Sequence, residues 1–208
     1  MNYWEERYQK QDTGWDIGTI STPLKEYIDQ LTDKKCRILL PGAGNGYEFD
    51  YLINKGFTNV FVVDIAISPL NNIANRNPEM STKLLHQDFF TLNEKFDLVL
   101  EQTFFCAIPP EMRADYATKM NEILNTKGKI AGLLFDFPLT GEGPPYGGSK
   151  AEYLSLFSEK FRIKTIERAH TPRNLWEKIK LPSNYTKALD IVSKQLEHYP
   201  KYLVHRNK

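Results

Sequence analysis

Apolar and polar positions alternate along this chain with two different periods. Arg37 to Leu40 (RILL) is a short apolar run closed by Pro41-Gly42. Directly after it, Tyr47 to Lys55 sets Phe49, Leu52 and Ile53 at the 3/4 spacing of one buried helix face. The same strand-turn-helix order returns. Val60 to Val63 (VFVV) ends at Asp64, Ser68-Pro69 opens a helix through LNNIANR, and Lys83 to His86 (KLLH) leads to Asp88. Phe96 to Leu100 reads as a fourth strand. Pro109-Pro110 then starts a helix over Glu111 to Asn125, striped by Met112, Tyr116, Met120, Ile123 and Leu124 and ended by Gly128. Lys129 to Phe135 is a fifth strand, 138–149 (PLTGEGPPYGGS) a turn-rich surface loop, Lys150 to Phe157 a helix, and Phe161 to Arg168 a half-buried strand. Beyond Pro182, the spacing of Ala188, Val192, Leu196 and Leu203 predicts an amphipathic C-terminal helix, interrupted or ended at Pro200.

Strands alternating with helices at this density predict an α/β fold, a mostly parallel sheet covered by helices on both faces. Right-handed crossovers bring the strand ends to one rim. Gly42 to Gly46, Asp64, Asp88 and the segment after Leu100 should therefore converge where strand order reverses, the usual ligand position of such sheets. The 208 residues suit a single domain, 1–208. With 41% apolar residues and 25% charged, the chain has the material for a core. A net charge of +1 gives no overall pull toward nucleic acid or anionic lipid, so neither partner is expected. There is no apolar stretch of signal-peptide or membrane-span length, which predicts a cytoplasmic protein. Cys36 and Cys106 lack metal-knuckle spacing and read as small apolar residues; no His/Glu metal spacing occurs and no metal is expected.

Pro41-Gly42-Ala43-Gly44-Asn45-Gly46 is a glycine turn between a strand and a helix, where bare backbone can touch a ligand. It also has a plain reading as a tight turn. Asp64 ends the next strand, where a carboxylate can accept bonds from two ribose hydroxyls. Asp88 can take an adenine amino group beside Phe89 and Phe90, or merely cap a backbone turn. A dinucleotide motif would need glycine at position 47, where Tyr47 stands, so NAD is the second choice. A nucleoside without phosphates, held by glycine backbone and two carboxylates, fits S-adenosylmethionine better.

With these motifs in place, the chain resembles the class I S-adenosylmethionine-dependent methyltransferases. Three further segments resemble the thiopurine S-methyltransferase family and its thiol/halide branch: YWEERYQKQDTGWDIG at 3–18, FDLVLEQTFFCAIPPEMR at 96–113 and GEGPPYGGS at 141–149. The resemblance implies a Rossmann-like, mostly parallel seven-stranded sheet, an aromatic segment over 1–30 that covers the cofactor, and S-adenosylmethionine as that cofactor. Its implied cofactor contacts are Trp4, Tyr8, Trp15, Gly42, Gly44, Asp64, Asp88, Phe89 and Gln102. Trp15, Phe104, Phe105 and Tyr146 are the implied walls of the acceptor pocket, with Tyr146 orienting the acceptor. The implied reaction is methyl transfer to a small thiol, hydrosulfide, thiocyanate or halide, or to a thiopurine-like heterocyclic thiol. A Rossmann oxidoreductase and a catalytically silent cofactor-binding module are the alternatives. Tyr8 and Gln102 depart from residues frequent in the family. Trp4 and Tyr8, at i and i+4, can equally staple an N-terminal helix to the core. The GPPY sequence follows the fifth strand, not the fourth, unlike the related motif of amino-methyltransferases. The helical extension expected over 183–208 has no family counterpart.

Overall fold

The computed structural model describes residues 2–141, 143–169 and 199–206. Two short helices, α1 (Tyr3–Gln9) and α2 (Thr22–Asp29), precede β1 (Ile38–Pro41), α3 (Tyr47–Asn54), β2 (Val60–Asp64), α4 (Ile67–Arg76) and β3 (Leu84–His86). The chain continues as β4 (Phe96–Gln102), α5 (Arg113–Ile123), β5 (Leu124–Leu133), α6 (Lys150–Ser158), β6 (Phe161–Ala169) and β7 (Tyr199–Arg206). Sheet order is β3-β2-β1-β4-β5-β7-β6; β1 to β5 run parallel, and β7 lies antiparallel between β5 and β6.

Side chains that alternate along the central strands divide the core into two layers. Ile38, Leu40, Val60, Val62, Leu98 and Leu100 pack with Ile28 of α2, Phe49 and Leu52 of α3, and Leu70 and Ile73 of α4. Leu39, Phe61, Val63, Val99 and Ile130 face the other way, onto Tyr116 and Met120 of α5 and Tyr153 and Phe157 of α6. A strand buried on both faces loses its period-2 polarity, which is why RILL and VFVV are apolar throughout. Each fully buried Phe or Leu contributes about 1.5–3 kcal/mol.

Two boundaries differ from the sequence expectation. The helix expected to reach Asn125 ends at Ile123, because Leu124 pairs with Phe96 in the sheet; Gly128 lies inside β5 at a register break, not at a helix end. At the C-terminus, residues 199–206 form β7, so Leu203 belongs to a strand and not to the expected helix. The rest of that helix, including Ala188, Val192 and Leu196, lies outside the described residues. Among the described residues, no helix is long and apolar enough to cross a membrane.

Candidate active site

Strand order reverses between β1, which continues toward β2 and β3, and β4, which continues toward β5. The carboxyl ends of β1 and β4 therefore diverge, and a cleft opens there. It is lined by the glycine turn from Pro41 to Asn45, by Leu100, Gln102 and Thr103 at the end of β4, by Tyr47 and Glu48 opening α3, and by Trp15 to Ile17 of the N-terminal segment.

Gly42, Gly44 and Gly46 all have positive φ, at 55°, 54° and 74°. A side chain at Gly42 would strike the Phe104 ring, and one at Gly46 would come within 2.5 Å of Ile73. Gly44 is different: the nearest atoms to a Cβ there are the Tyr8 hydroxyl at 3.6 Å and the Trp15 indole nitrogen at 3.9 Å. Two of its neighbours in the turn are thus closed by packing, whereas Gly44 faces the aromatic roof. This arrangement of bare backbone under aromatic side chains fits a nucleoside with an amino-acid tail, and Gly42 to Asn45 with Glu48, Asp64 and Gln102 are the residues that would hold it.

The roof is fastened at several points. Asn2 caps α1 and donates to Ile65 O at 2.6 Å, and Glu5 accepts from Ser68 N–H at 3.0 Å and from its hydroxyl at 2.6 Å, which docks α1 on α4. Trp15 meets Trp4 and Tyr8 edge-on at centroid distances of 5.3 and 5.6 Å, and the Arg7 guanidinium lies 5.0 Å from its ring. Asp16 accepts from Gly18 N–H, Tyr47 and Asn45, tying the segment to the glycine turn. Farther along, the Ser21 hydroxyl donates to Gln102 Oε1 at 2.5 Å. Ser21 is wholly buried.

The segment after β4 is held from below. Thr103 has φ 64°, a left-handed conformation costly for a β-branched residue. Glu101, 1% exposed, accepts from the amides of Phe104 and Phe105 at 2.9 and 2.7 Å, closing the turn on which Thr103 sits. Its Oε2 is buried without a partner, and burial pushes its carboxyl up to about 7. Gly132 on neighbouring β5 leaves the room: a Cβ there would lie 2.8 Å from that of Glu101.

Placement of the sequence-derived residues follows from this geometry. Gly42, Gly44, Trp15, Gln102 and the Phe104 ring meet around the turn, with Tyr8 above it. Trp4 reaches the cleft only through Trp15. Asp64 ends β2 one strand over, half-buried, with one oxygen accepting from Ala66 N–H at 2.8 Å; burial raises its carboxyl to about 6. Burial, reinforced by Asp64, also holds the Tyr8 hydroxyl above the usual phenol range. Asp88 is exposed beyond β3 and accepts from Phe90 N–H at 2.9 Å, the capping arrangement weighed from the sequence. The side chains of Phe89 and Phe105 lie elsewhere, in the aromatic core with Tyr116, at 3% and 1% exposure. Any contact Phe89 offers a ligand comes through its main chain, and Phe105 supports Phe104 and the loop from behind. Tyr146 is half-buried; its amide donates to Cys106 O at 2.7 Å and its ring covers Gly143. Arg113 secures that loop by donating to Gly147 O at 2.8 Å while pairing with Glu152. Ser21, Glu48 and Glu101 carry no spacing motif. A carboxylate interrupting the apolar run FDLVLEQ was the available signal for Glu101.

The fold is that of the class I methyltransferases, an α/β sheet with a cleft at the β1/β4 divergence. A family model of thiopurine S-methyltransferase (TPMT) matches residues 1–190, and the chain belongs to that family. It is therefore an S-adenosylmethionine-dependent S-methyltransferase. Among its relatives, the probable thiol methyltransferase 2 of Arabidopsis thaliana is 30% identical over 186 residues, covering 85% of this chain and 82% of that protein. Thiocyanate methyltransferase 1 of Brassica oleracea is 32% identical over 173 residues, 79% of this chain and 75% of that one. The fold is shared with the 1,6-didemethyltoxoflavin-N1-methyltransferase of Burkholderia thailandensis, solved with 1,6-didemethyltoxoflavin and S-adenosylhomocysteine. That pair has a TM-score of 0.72 and 17% identity, covering 99% of this chain and 86% of the other.

Proposed function

We propose that this protein methylates a small soft nucleophile, a thiol, hydrosulfide, thiocyanate or halide, with a heterocyclic thiol of thiopurine type as the variant acceptor. The observation that carries the reading is the chemistry of the cleft: tryptophan, isoleucine, leucine and glycine, uncharged polar groups that include Gln102 and Thr103, the carboxylates Asp16 and Glu48 beside the glycine turn, and no histidine, lysine, arginine or cysteine among the described residues that line it. The names of the thiol and thiocyanate relatives point the same way.

When bound, the cofactor supplies a methyl carbon on a positively charged sulfur, a leaving group that needs no proton. An ionised thiol or a halide needs none removed, so the protein's contribution is alignment and dehydration. In this reading the glycine turn and Asp64 hold the adenosyl group, with Asp88 and the Phe89 main chain at the base. Trp4, Tyr8 and Trp15 cover it, and their ring faces favour a cationic sulfur while excluding water. Gln102, Phe104 and Tyr146 border the acceptor, Tyr146 orienting it from the loop that Arg113 secures. Two unpaired cysteines, Cys36 and Cys106, suit a cytoplasmic setting.

Methyl transfer from tritium-labelled cofactor to hydrosulfide, thiophenol, iodide and 6-mercaptopurine tests this. Labelled volatile product from the first three, above that from the purine, is expected. No product from any of the four, with cofactor binding intact, overturns the acceptor class.

A further inference from the structure

Glu48 stands among the residues that would hold the cofactor, but the reading above gives it no specific partner. It opens α3 and lines the cleft from the side of the glycine turn. The cleft has one other carboxylate, and that one is committed: Asp16 accepts from Gly18 N–H on one oxygen and from Asn45 and Tyr47 on the other. The backbone groups that act on the Glu48 carboxyl, its own amide and that of Ser21, are neutral. No described residue lining the cleft is basic. Arg76, the cation close to the turn, is engaged with Asp50 Oδ2 at 2.8 Å and with the carbonyl of Asn45. The charged groups bearing on Glu48 are thus Asp16 from the roof and Asp50 from its own helix, both of its own sign. Burial, with these two carboxylates, pushes its carboxyl up to about 7. A carboxylate that is desolvated, unmatched and open to a cleft is a receptor for a cation.

The order of strands says which cation. Along the rim run Asp88 after β3, Asp64 at the end of β2, the glycine turn after β1 and then Gln102 at the end of β4. If base and ribose lie toward β3 and β2, as the proposed function has it, the amino-acid end of the cofactor falls at β1 and β4, on Glu48. We propose that Glu48 is the binding partner of the cofactor's α-ammonium group, and that it gives up a proton when that group arrives. The balance is simple. A Glu48 carboxyl and an ammonium enter; a carboxylate-ammonium pair remains, and the proton passes to buffer. Because the ammonium is present in the substrate and in its demethylated product, Glu48 grips both, whereas the methyl transfer itself leaves it unchanged.

This assignment rests on the proposed placement of the cofactor, and the test separates the two. S-Adenosylhomocysteine and its analogue lacking the α-amino group are titrated calorimetrically into the wild type and into Glu48→Gln, which keeps the side chain's size and polarity without its charge. Measurements run at pH 7 in buffers of different ionisation enthalpy. The wild type should prefer the amino compound by about 10- to 100-fold, the worth of a charge-assisted hydrogen bond. It should release about half a proton per molecule bound, as expected for a group half-protonated near pH 7. In Glu48→Gln both the preference and that proton should largely disappear, with the melting temperature near that of the wild type. Equal binding of the two compounds by the wild type, or an unchanged preference and proton release in the variant, overturns the assignment and leaves cofactor binding standing. Absence of heat from folded wild type with either compound overturns the cofactor placement itself. The wild-type comparison needs no variant to fold.

Discussion

At the scale of single residues, the glycine turn is the point where chemistry and packing demand the same thing for different reasons. Gly42 is left-handed and lies against Phe104; its amide donates to Val63 O at 2.8 Å, locking the turn to β2. Gly42→Ala should cost about 1–2 kcal/mol for the left-handed backbone alone, with the displacement of Phe104 added. Since Gly42 itself lines the cleft and Phe104 lies against it, affinity for S-adenosylhomocysteine should fall at least about tenfold with it. Gly56→Ala is the control: φ is 83° but nothing lies within 4 Å of the added Cβ, so urea denaturation should show the backbone cost with affinity unchanged. Equal affinity losses in the two variants would contradict the role given to Phe104. The turn, Asp64 and the aromatic segment were legible because each follows from type and position: glycine after a strand, a carboxylate at a strand end, aromatics at helical spacing. Glu48 and Ser21 were not. What distinguishes them is a lack of partners and a bond across the cleft, and neither is a property of local sequence.

At the scale of elements, the segment from Glu101 to Ala107 shows how a strand end becomes a site wall. Its left-handed Thr103 persists because a buried carboxyl beneath it takes the two amides that follow. Glu101→Leu has comparable bulk but would orphan both, each at about 1–3 kcal/mol. Glu101→Gln keeps the acceptor. We expect the leucine variant to lose about 2–5 kcal/mol of stability and most of its turnover, and the glutamine variant to retain both to within a fewfold. Parallel urea titrations and turnover assays decide, and similar losses in the two variants would show that the carboxyl does more than accept. The same scale explains what the hydrophobic pattern misread. The stripe Met112, Tyr116, Met120, Ile123, Leu124 continues smoothly, yet Leu124 pairs with Phe96 and turns from helix to strand. Pairing in the sheet, a long-range event, overrides a local period. α2 escaped notice for the opposite reason: eight residues with proline near the start carry too few apolar repeats to stand out.

At the scale of the whole molecule, three carboxyl groups set beneath and beside one cleft give the protein an unusual response to pH. Burial raises Glu48 and Glu101 to about 7 and Asp64 to about 6, well above the values of an unfolded chain. Between about pH 4 and pH 7 the folded state consequently holds protons that the unfolded state has released. Stability is then greatest toward the acidic end of that window and falls as pH rises through the folded pKa values. The wholly buried Glu101 alone accounts for up to about 3 kcal/mol, its shift multiplied by ~1.4 kcal/mol per unit. The opposite tendency comes from carboxylates held low by bonds, Glu5 through Ser68, Glu6 through Lys10, Asp29 through Lys25 and Glu122 through Lys119. Their contribution is already complete above about pH 4.5 and is lost only below it, so it does not mask the fall at higher pH. The ligand-free protein should therefore require less urea to unfold at pH 8 than at pH 5, and Glu101→Gln should flatten the curve. Saturation with S-adenosylhomocysteine should flatten it too if Glu48 exchanges its proton for an ammonium partner, because the paired carboxylate no longer favours the protonated form. A midpoint that climbs steadily from pH 5 to pH 8 without ligand would show that these carboxyls are ionised in the folded chain, and the electrostatic account of the cleft would fall with it.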